Sequence, residues 1–335
     1  MLVSLSSLVS GLCSVLGVLI SLSSLNLLGV WIGIEFNFLG VLCFLSGSSV
    51  EETEGVMKYY LVQVLGSCSS VMGFLMITNG VGAAFSAVFI LVGMLVKLGA
   101  FPFHFWVGPV VSKLSWIGCI MVMVVQKVVP LWVISNFIFM GEEMSCVEAL
   151  AIFTCVIGSL SGLGVLNYRV LLGFSSIQHC GYLLVLSCCS SWSLWTYLIV
   201  YAMLSTFLML SLWEESLYSF LDLIKKKGSE NLTSVWWVSL YLMSLAGLPP
   251  FSGFVLKIYF LLSSWGVMSI GSVICIMSSL ISLFFYLSVV LSMTIYWGSV
   301  LSWMNKGKNI MNFNVFMSGI MNLALGPMVF MFSSL

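Results

Sequence analysis

The chain has 335 residues, 61% hydrophobic and 7% charged, and its 11 basic and 11 acidic side chains cancel. A soluble domain carries about 25% charged residues, so this composition excludes a soluble globular protein and points to a polytopic membrane protein. The balanced charge also excludes a nucleic-acid binder, which needs a basic face.

A spanning helix needs about 20 apolar residues. The apolar runs predict an all-α chain with eleven spans, over 2–20, 25–45, 59–78, 82–105, 115–140, 146–166, 170–187, 192–213, 234–262, 267–297 and 313–332. No polar stretch between them suits a separate soluble domain, so 1–335 reads as a single membrane domain. The opening Met1-Leu2-Val3-Ser4 lacks the basic region of a secretory signal and the arginines of a transit peptide, so the first run is expected to stay as a span. Loops after even-numbered spans hold Lys58, Lys113, Arg169, Lys225, Lys226, Lys227, Lys306 and Lys308; loops after odd-numbered spans hold no Lys or Arg. That bias puts the N-terminus and the even loops on the cytoplasm-like side, and the C-terminus on the other.

Four charges fall inside the apolar runs away from their first residues: Glu35 in span 2, Lys97 in span 4, Lys127 in span 5 and Lys257 in span 9. Each costs roughly 2.5–3.5 kcal/mol at the bilayer centre on insertion scales, so the four cost on the order of 10–14 kcal/mol before pairing. The plain readings are a protonated Glu bonded to a backbone carbonyl and lysines that snorkel to the interface. The functional reading is an intramembrane path for protons or other ions, in which Glu35 pairs with a lysine amine. A buried amine gives up its proton more readily than a solvated one, and a nearby carboxylate restores its hold. Moving one charge against about 180 mV takes roughly 4 kcal/mol, which a buried ion pair can supply.

Two of these runs contain helix breakers. Span 4 ends Lys97-Leu98-Gly99-Ala100-Phe101-Pro102-Phe103-His104, and span 9 holds Gly247-Leu248-Pro249-Pro250 ahead of Lys257. Proline removes an N–H and frees a carbonyl, so both helices are expected to be discontinuous. They lie five spans apart and therefore run in opposite directions, the pattern of inverted repeats around a transport site. His104 and His179 read either as proton relays or as satisfied polar residues. The Glu51–Glu54 cluster suits a solvated helix start, and Lys225–Lys227 an anchor at the lipid surface. Ten Cys without a CxxC, and only two His, leave no iron–sulfur or zinc pattern. No cofactor or metal is expected in this chain.

Several strings read together resemble one family. Trp31-Ile32-Gly33-Ile34-Glu35-Phe36-Asn37 resembles a W-x-G-L-E-x-N signature, and Lys97 to Val107 (KLGAFPFHFWV) a second block. Glu54 to Gln63, Ser115-Trp116 with Gln126 to Pro130, Phe174 to Gly181, and Ser244 to Lys257 resemble four more, in order along about 30 to 260. The set is similar to the chain 2 family of NADH–ubiquinone oxidoreductase, a membrane subunit of respiratory complex I related to cation/proton antiporters, in its short animal mitochondrial form. The chain departs from that pattern at Gly108, Val170, Leu256 and Ile258.

The resemblance implies a proton-pumping module with antiporter-like inverted repeats. Glu35 and Lys97 match the family's ion pair, Lys127 its central lysine and Lys257 its exit lysine. It implies the inner mitochondrial membrane, with the N-terminus in the matrix and the C-terminus in the intermembrane space. It also implies contacts with other complex I membrane subunits and with lipid, and places NADH, FMN, iron–sulfur clusters and ubiquinone in other subunits. A sodium/proton antiporter subunit and a purely structural membrane scaffold remain the alternatives.

Overall fold

The structure is a computed structural model that describes residues 5–46, 50–80, 82–137, 142–220, 222 and 232–301. The predicted span 313–332, the end of the predicted fifth span at 138–140, and Lys225–Lys227, Lys306 and Lys308 lie outside these residues. The described residues form helices and contain no strand; one isolated bridge joins Asn167 to Ser219.

The helices are α1 (Leu5–Ser23), α2 (Leu27–Leu45), α3 (Val50–Thr78), α4 (Ala83–Leu98), α5 (Val107–Val111), α6 (Trp116–Ile120), α7 (Gln126–Phe137), α8 (Glu142–Ser161), α9 (Tyr168–Cys189), α10 (Ser191–Glu214), α11 (Leu232–Ala246), α12 (Ser252–Ser264) and α13 (Ser269–Leu301). A 3-10 turn over His104–Trp106 precedes α5, and a π-helical turn over Met121–Val125 joins α6 to α7. Eight described segments have the length and apolarity to cross a membrane, counting α6, the π turn and α7 as one; Ala84–Leu98, Trp237–Ala246 and Ser252–Ser264 are shorter apolar helices. In lipid every backbone polar group must be satisfied within the protein, which is why the long apolar segments among the described residues are helical.

The burial pattern of α1 is inverted relative to a helix of a soluble protein. On α1, Ser10, Ser14, Gly17 and Ser21 are buried while Leu8, Leu12, Leu16 and Leu19 are exposed. These small residues bring α1 and α2 into backbone contact. A Cβ on Gly17 would sit 2.3 Å from the Asn37 nitrogen, and one on Gly33 or Gly40 would sit 2.5 Å from the nitrogen of Ser21 or Ser14. Close approach of this kind replaces the hydrophobic drive that lipid cannot supply between helices. Gly17→Leu must force the two backbones apart, at a cost of about 3 kcal/mol or more. It is expected to deplete the protein from the membrane fraction, measured by quantitative immunoblot; normal abundance would show that the α1–α2 contact is dispensable.

Where the sequence reads the fourth span as running over 82–105, α4 stops at Leu98. Gly99 is left-handed (φ 67°); its N–H donates to the Val96 carbonyl, and the Ala100 N–H donates to the Leu95 carbonyl. The ninth run divides in the same way. Gly247 is left-handed (φ 78°), its N–H donates to Ser244, and the Leu248 N–H donates to Met243. Both are Schellman stops built on a glycine that can adopt positive φ without a Cβ clash. Each stop is followed by a cis X–Pro bond, Phe101–Pro102 in one and Pro249–Pro250 in the other.

The fifth run, read as one span over 115–140, is not one regular helix. Pro130 sits inside α7, where it has no N–H to give the Gln126 carbonyl, and the π turn ends on the residue before Gln126. At the centre of the molecule α9 packs against α5, α7, α8, α10, α12 and α13. Almost all of its residues from Tyr168 to Cys188 are buried.

Candidate functional site

Glu35 lies midway along α2, and Lys97 lies in the last turn of α4, next to its final residue Leu98. The Lys97 ammonium is 3.5 Å from a Glu35 carboxylate oxygen, with the Lys97 side chain 2% exposed and Glu35 22% exposed. The ammonium also stands 5.8 Å from the centre of the Phe38 ring, one helical turn from Glu35. Room for the lysine stem comes from α3. A Cβ on Gly66 would lie 2.9 Å from Lys97 Cγ.

The break leaves carbonyls that need donors. The Trp106 indole N–H, folded back by the 3-10 turn, donates to the Val96 carbonyl at 3.2 Å. The Gln63 amide donates to the Lys97 carbonyl at 3.4 Å. The stop that ends α4 is therefore held from both sides of Lys97.

Lys127 is buried in α7. Its ammonium donates to the Ser176 backbone carbonyl on α9 at 2.7 Å and lies 5.6 Å from the Tyr201 ring on α10. Tyr201 in turn packs 4.6 Å from the His179 ring. His179 is buried, and its Nδ1 shares a 2.9 Å hydrogen bond with the Tyr197 hydroxyl. The Tyr201 ring thus touches both the Lys127 ammonium and the His179 imidazole. Tyr182, one turn along α9, receives the Gln178 amide and donates to the Cys275 carbonyl on α13, both at 3.1 Å.

Lys257 sits past the second break, on α12, and reaches back over it. Its ammonium donates to the Ala246 carbonyl at 2.6 Å. Ala246 is the last residue of α11, and the C-terminal end of a helix presents unpaired carbonyls and a partial negative charge that favour a cation. The two breaks thus place their lysines on opposite sides: Lys97 precedes its stop and Lys257 follows its own.

The structure brings Glu35 to Lys97, and through Tyr201 it brings His179 near Lys127. It leaves His104 apart. That ring opens the 3-10 turn, half-buried, 4.1 Å from the Phe105 ring and 6.5 Å from Phe101, with no bond to any of the four charged residues. Pro102, Pro249 and Pro250 all lie in the two interhelical turns. Near the start of α3, Glu54 pairs with Lys58 at 2.7 Å, four residues on, and also with Lys113.

Sequence reasoning passed over Gln63, Trp106, Tyr197 and Tyr201. Gln63 carried a usable signal, being an amide in an apolar run. Tyr197 and Tyr201 carried a weaker one, as two hydroxyl-bearing rings four residues apart on one helix face.

Comparison with known proteins agrees with this architecture. Residues 24–284 match the family model described as NADH:quinone oxidoreductase/Mrp antiporter, TM. The chain is 32% identical over 333 residues to NADH-ubiquinone oxidoreductase chain 2 of Albinaria caerulea, covering 98% of this chain and 99% of the relative. Its fold resembles a chain of respiratory complex I from Thermus thermophilus with a TM-score of 0.80 at 19% identity, covering 96% of this chain and 78% of that one. It also resembles a chain of the Mrp complex from Dietzia sp. DQ12-45-1b with a TM-score of 0.71 at 18% identity, covering 90% and 64%.

Proposed function

The chain belongs to the NADH-ubiquinone oxidoreductase chain 2 family, within the wider NADH:quinone oxidoreductase/Mrp antiporter family, and from that premise we propose that it is a proton-translocating membrane subunit of NADH:ubiquinone oxidoreductase. It acts within the enzyme as the subunit that moves protons, while NADH oxidation and quinone reduction take place on other subunits. The fold alone suits a respiratory pump and a sodium/proton antiporter equally, since both kinds of assembly share it. Identity over nearly the whole chain to a relative named for the oxidoreductase favours the former.

The observation that carries the mechanism is the Glu35–Lys97 pair, with its lysine buried and its carboxylate partly exposed. A carboxylate beside a buried ammonium holds the proton there, and a carboxylate drawn away releases it. Charge movement arriving from neighbouring subunits shifts Glu35, and Lys97 loads or unloads in response. Lys127 is the next holder, His179 bridges toward Lys257, and Lys257 releases the proton. Spans 4 and 9 are read as discontinuous crossings in an eleven-span inverted-repeat fold. The N-terminus and the even loops face the matrix of the inner mitochondrial membrane. Other complex I membrane subunits and lipid cover the exposed apolar faces, and no cofactor is assigned to this chain.

Glu35→Gln keeps the shape and the hydrogen-bonding ability of the side chain and removes the charge. In the assembled complex it is expected to lower NADH-driven proton uptake about tenfold, a barrier change of about 1.4 kcal/mol. Uptake is read from a pH-sensitive dye in vesicles. Uptake within twofold of the wild type would sink the switch-pair reading, and uptake that requires sodium would favour the antiporter.

A further inference from the structure

Three buried polar groups near the Glu35–Lys97 pair and Lys127 have no hydrogen-bond partner: the Tyr59 hydroxyl, the Gln63 side-chain oxygen and the Gln126 side-chain nitrogen. Their residues are at most 5% exposed. Unpaired polar atoms this deeply buried are uncommon, and where they cluster they normally hold ordered water.

Tyr59 borders the pair. Its ring packs 5.9 Å from Phe38, the ring that also carries the Lys97 ammonium, and 5.9 Å from Trp106 on its other side. Gln63, one turn along α3, is bonded to the Lys97 carbonyl. Gln126 borders the far lysine, as the residue immediately before Lys127, and its amide faces the Tyr59 hydroxyl without reaching hydrogen-bond geometry. The three groups thus span from the backbone of Lys97 to the neighbour of Lys127. Packing explains the Tyr59 ring, but a Phe would pack as well, and the buried hydroxyl is left without a purpose.

We propose that Tyr59 and Gln126 form the link between Lys97 and Lys127, holding bridging water through which a proton passes. The inference rests on the relay reading above. An N–H bond of the Lys97 ammonium breaks and its proton goes to a bridging water. That water protonates the Tyr59 oxygen as the hydroxyl proton leaves toward Lys127, whose amine lone pair takes it up. Lys97 ends as an amine and Lys127 as an ammonium, and Tyr59 is neutral before and after. The Gln63 oxygen and the Gln126 nitrogen orient the water, one accepting and the other donating.

The test is NADH-driven proton uptake by the assembled complex in vesicles, in light and heavy water, for Tyr59→Phe and Gln126→Met. Both substitutions keep volume, and either carries the test if the other fails to assemble. Removing a positioned proton-transfer group is expected to slow uptake at least about fivefold and to enlarge the solvent isotope effect, with the amount of complex unchanged. Tyr60→Phe, on the exposed side of the same turn, is expected to behave as the wild type. Wild-type rates and isotope effects for the variants that assemble would overturn the proposal, and so would equal losses in Tyr59→Phe and Tyr60→Phe. If Glu35→Gln stops uptake while Tyr59→Phe does not, the link fails alone. If neither matters, the relay reading fails and the link with it.

Discussion

Replacing Lys127 with Arg is expected to stop proton pumping while leaving the complex assembled. Arg keeps the positive charge, can still donate to the Ser176 carbonyl and can stack on Tyr201, the two contacts that hold Lys127. What it cannot do is give up its proton inside a protein. A site that needs only a fixed cation would tolerate the change, whereas a site that must alternate between ammonium and amine would not. The expected loss in NADH-driven uptake is tenfold or more, a barrier of at least about 1.4 kcal/mol. Lys127→Ala is expected to lose as much, since it removes both the charge and the titrating group. A native gel separates a pumping defect from failed assembly. Near-normal uptake in the Arg variant would remove Lys127 from the proton path and leave it as a structural cation.

The second large effect is expected from a residue that carries no charge. Gly247 has φ 78°, and a Cβ there would lie 2.6 Å from both Nζ and Cε of Lys257. Gly247→Ala therefore does two things. It places an L side chain in left-handed backbone, at a cost of about 1–2 kcal/mol, and it pushes the ammonium off the Ala246 carbonyl. Gly164 separates the two effects, because it has φ 77° with nothing within 4 Å of a built Cβ. Gly164→Ala carries the backbone cost alone. Uptake is expected to fall about five- to tenfold in Gly247→Ala and to stay near the wild type in Gly164→Ala. Equal behaviour of the two variants would mean that the position of Lys257 does not limit pumping.

Much of this layout is legible in the sequence, for physical reasons. A charge inside an apolar run costs too much to be incidental, which marks Glu35, Lys97, Lys127 and Lys257. Glycine followed by proline stops a helix, which marks the turns after Leu98 and after Ala246. Other features leave no such trace. The π turn at Met121–Val125 lies in a stretch apolar on every side, where a change of helical period alters no pattern. The acceptors for Lys127 and Lys257 are main-chain carbonyls, and every residue has one. That Lys257 reaches back across its break follows from three-dimensional folding alone. Tyr59, Gln63 and Gln126 become conspicuous only when their burial and unpaired atoms are seen together.

Those two main-chain acceptors have a consequence for how the protein changes over generations. A side-chain partner is encoded at one position, and its loss must be matched elsewhere. The carbonyls of Ser176 and Ala246 survive any substitution that leaves the helix in place. Lineages can therefore exchange the side chains at 176 and 246 for others that fit these buried sites without disturbing the bond to the lysine. Among distant relatives neither position is expected to change in step with its lysine, so pairwise covariation will not reveal these two contacts. The chemistry there is inherited through the path of the backbone, and the side chains answer only to the space around them.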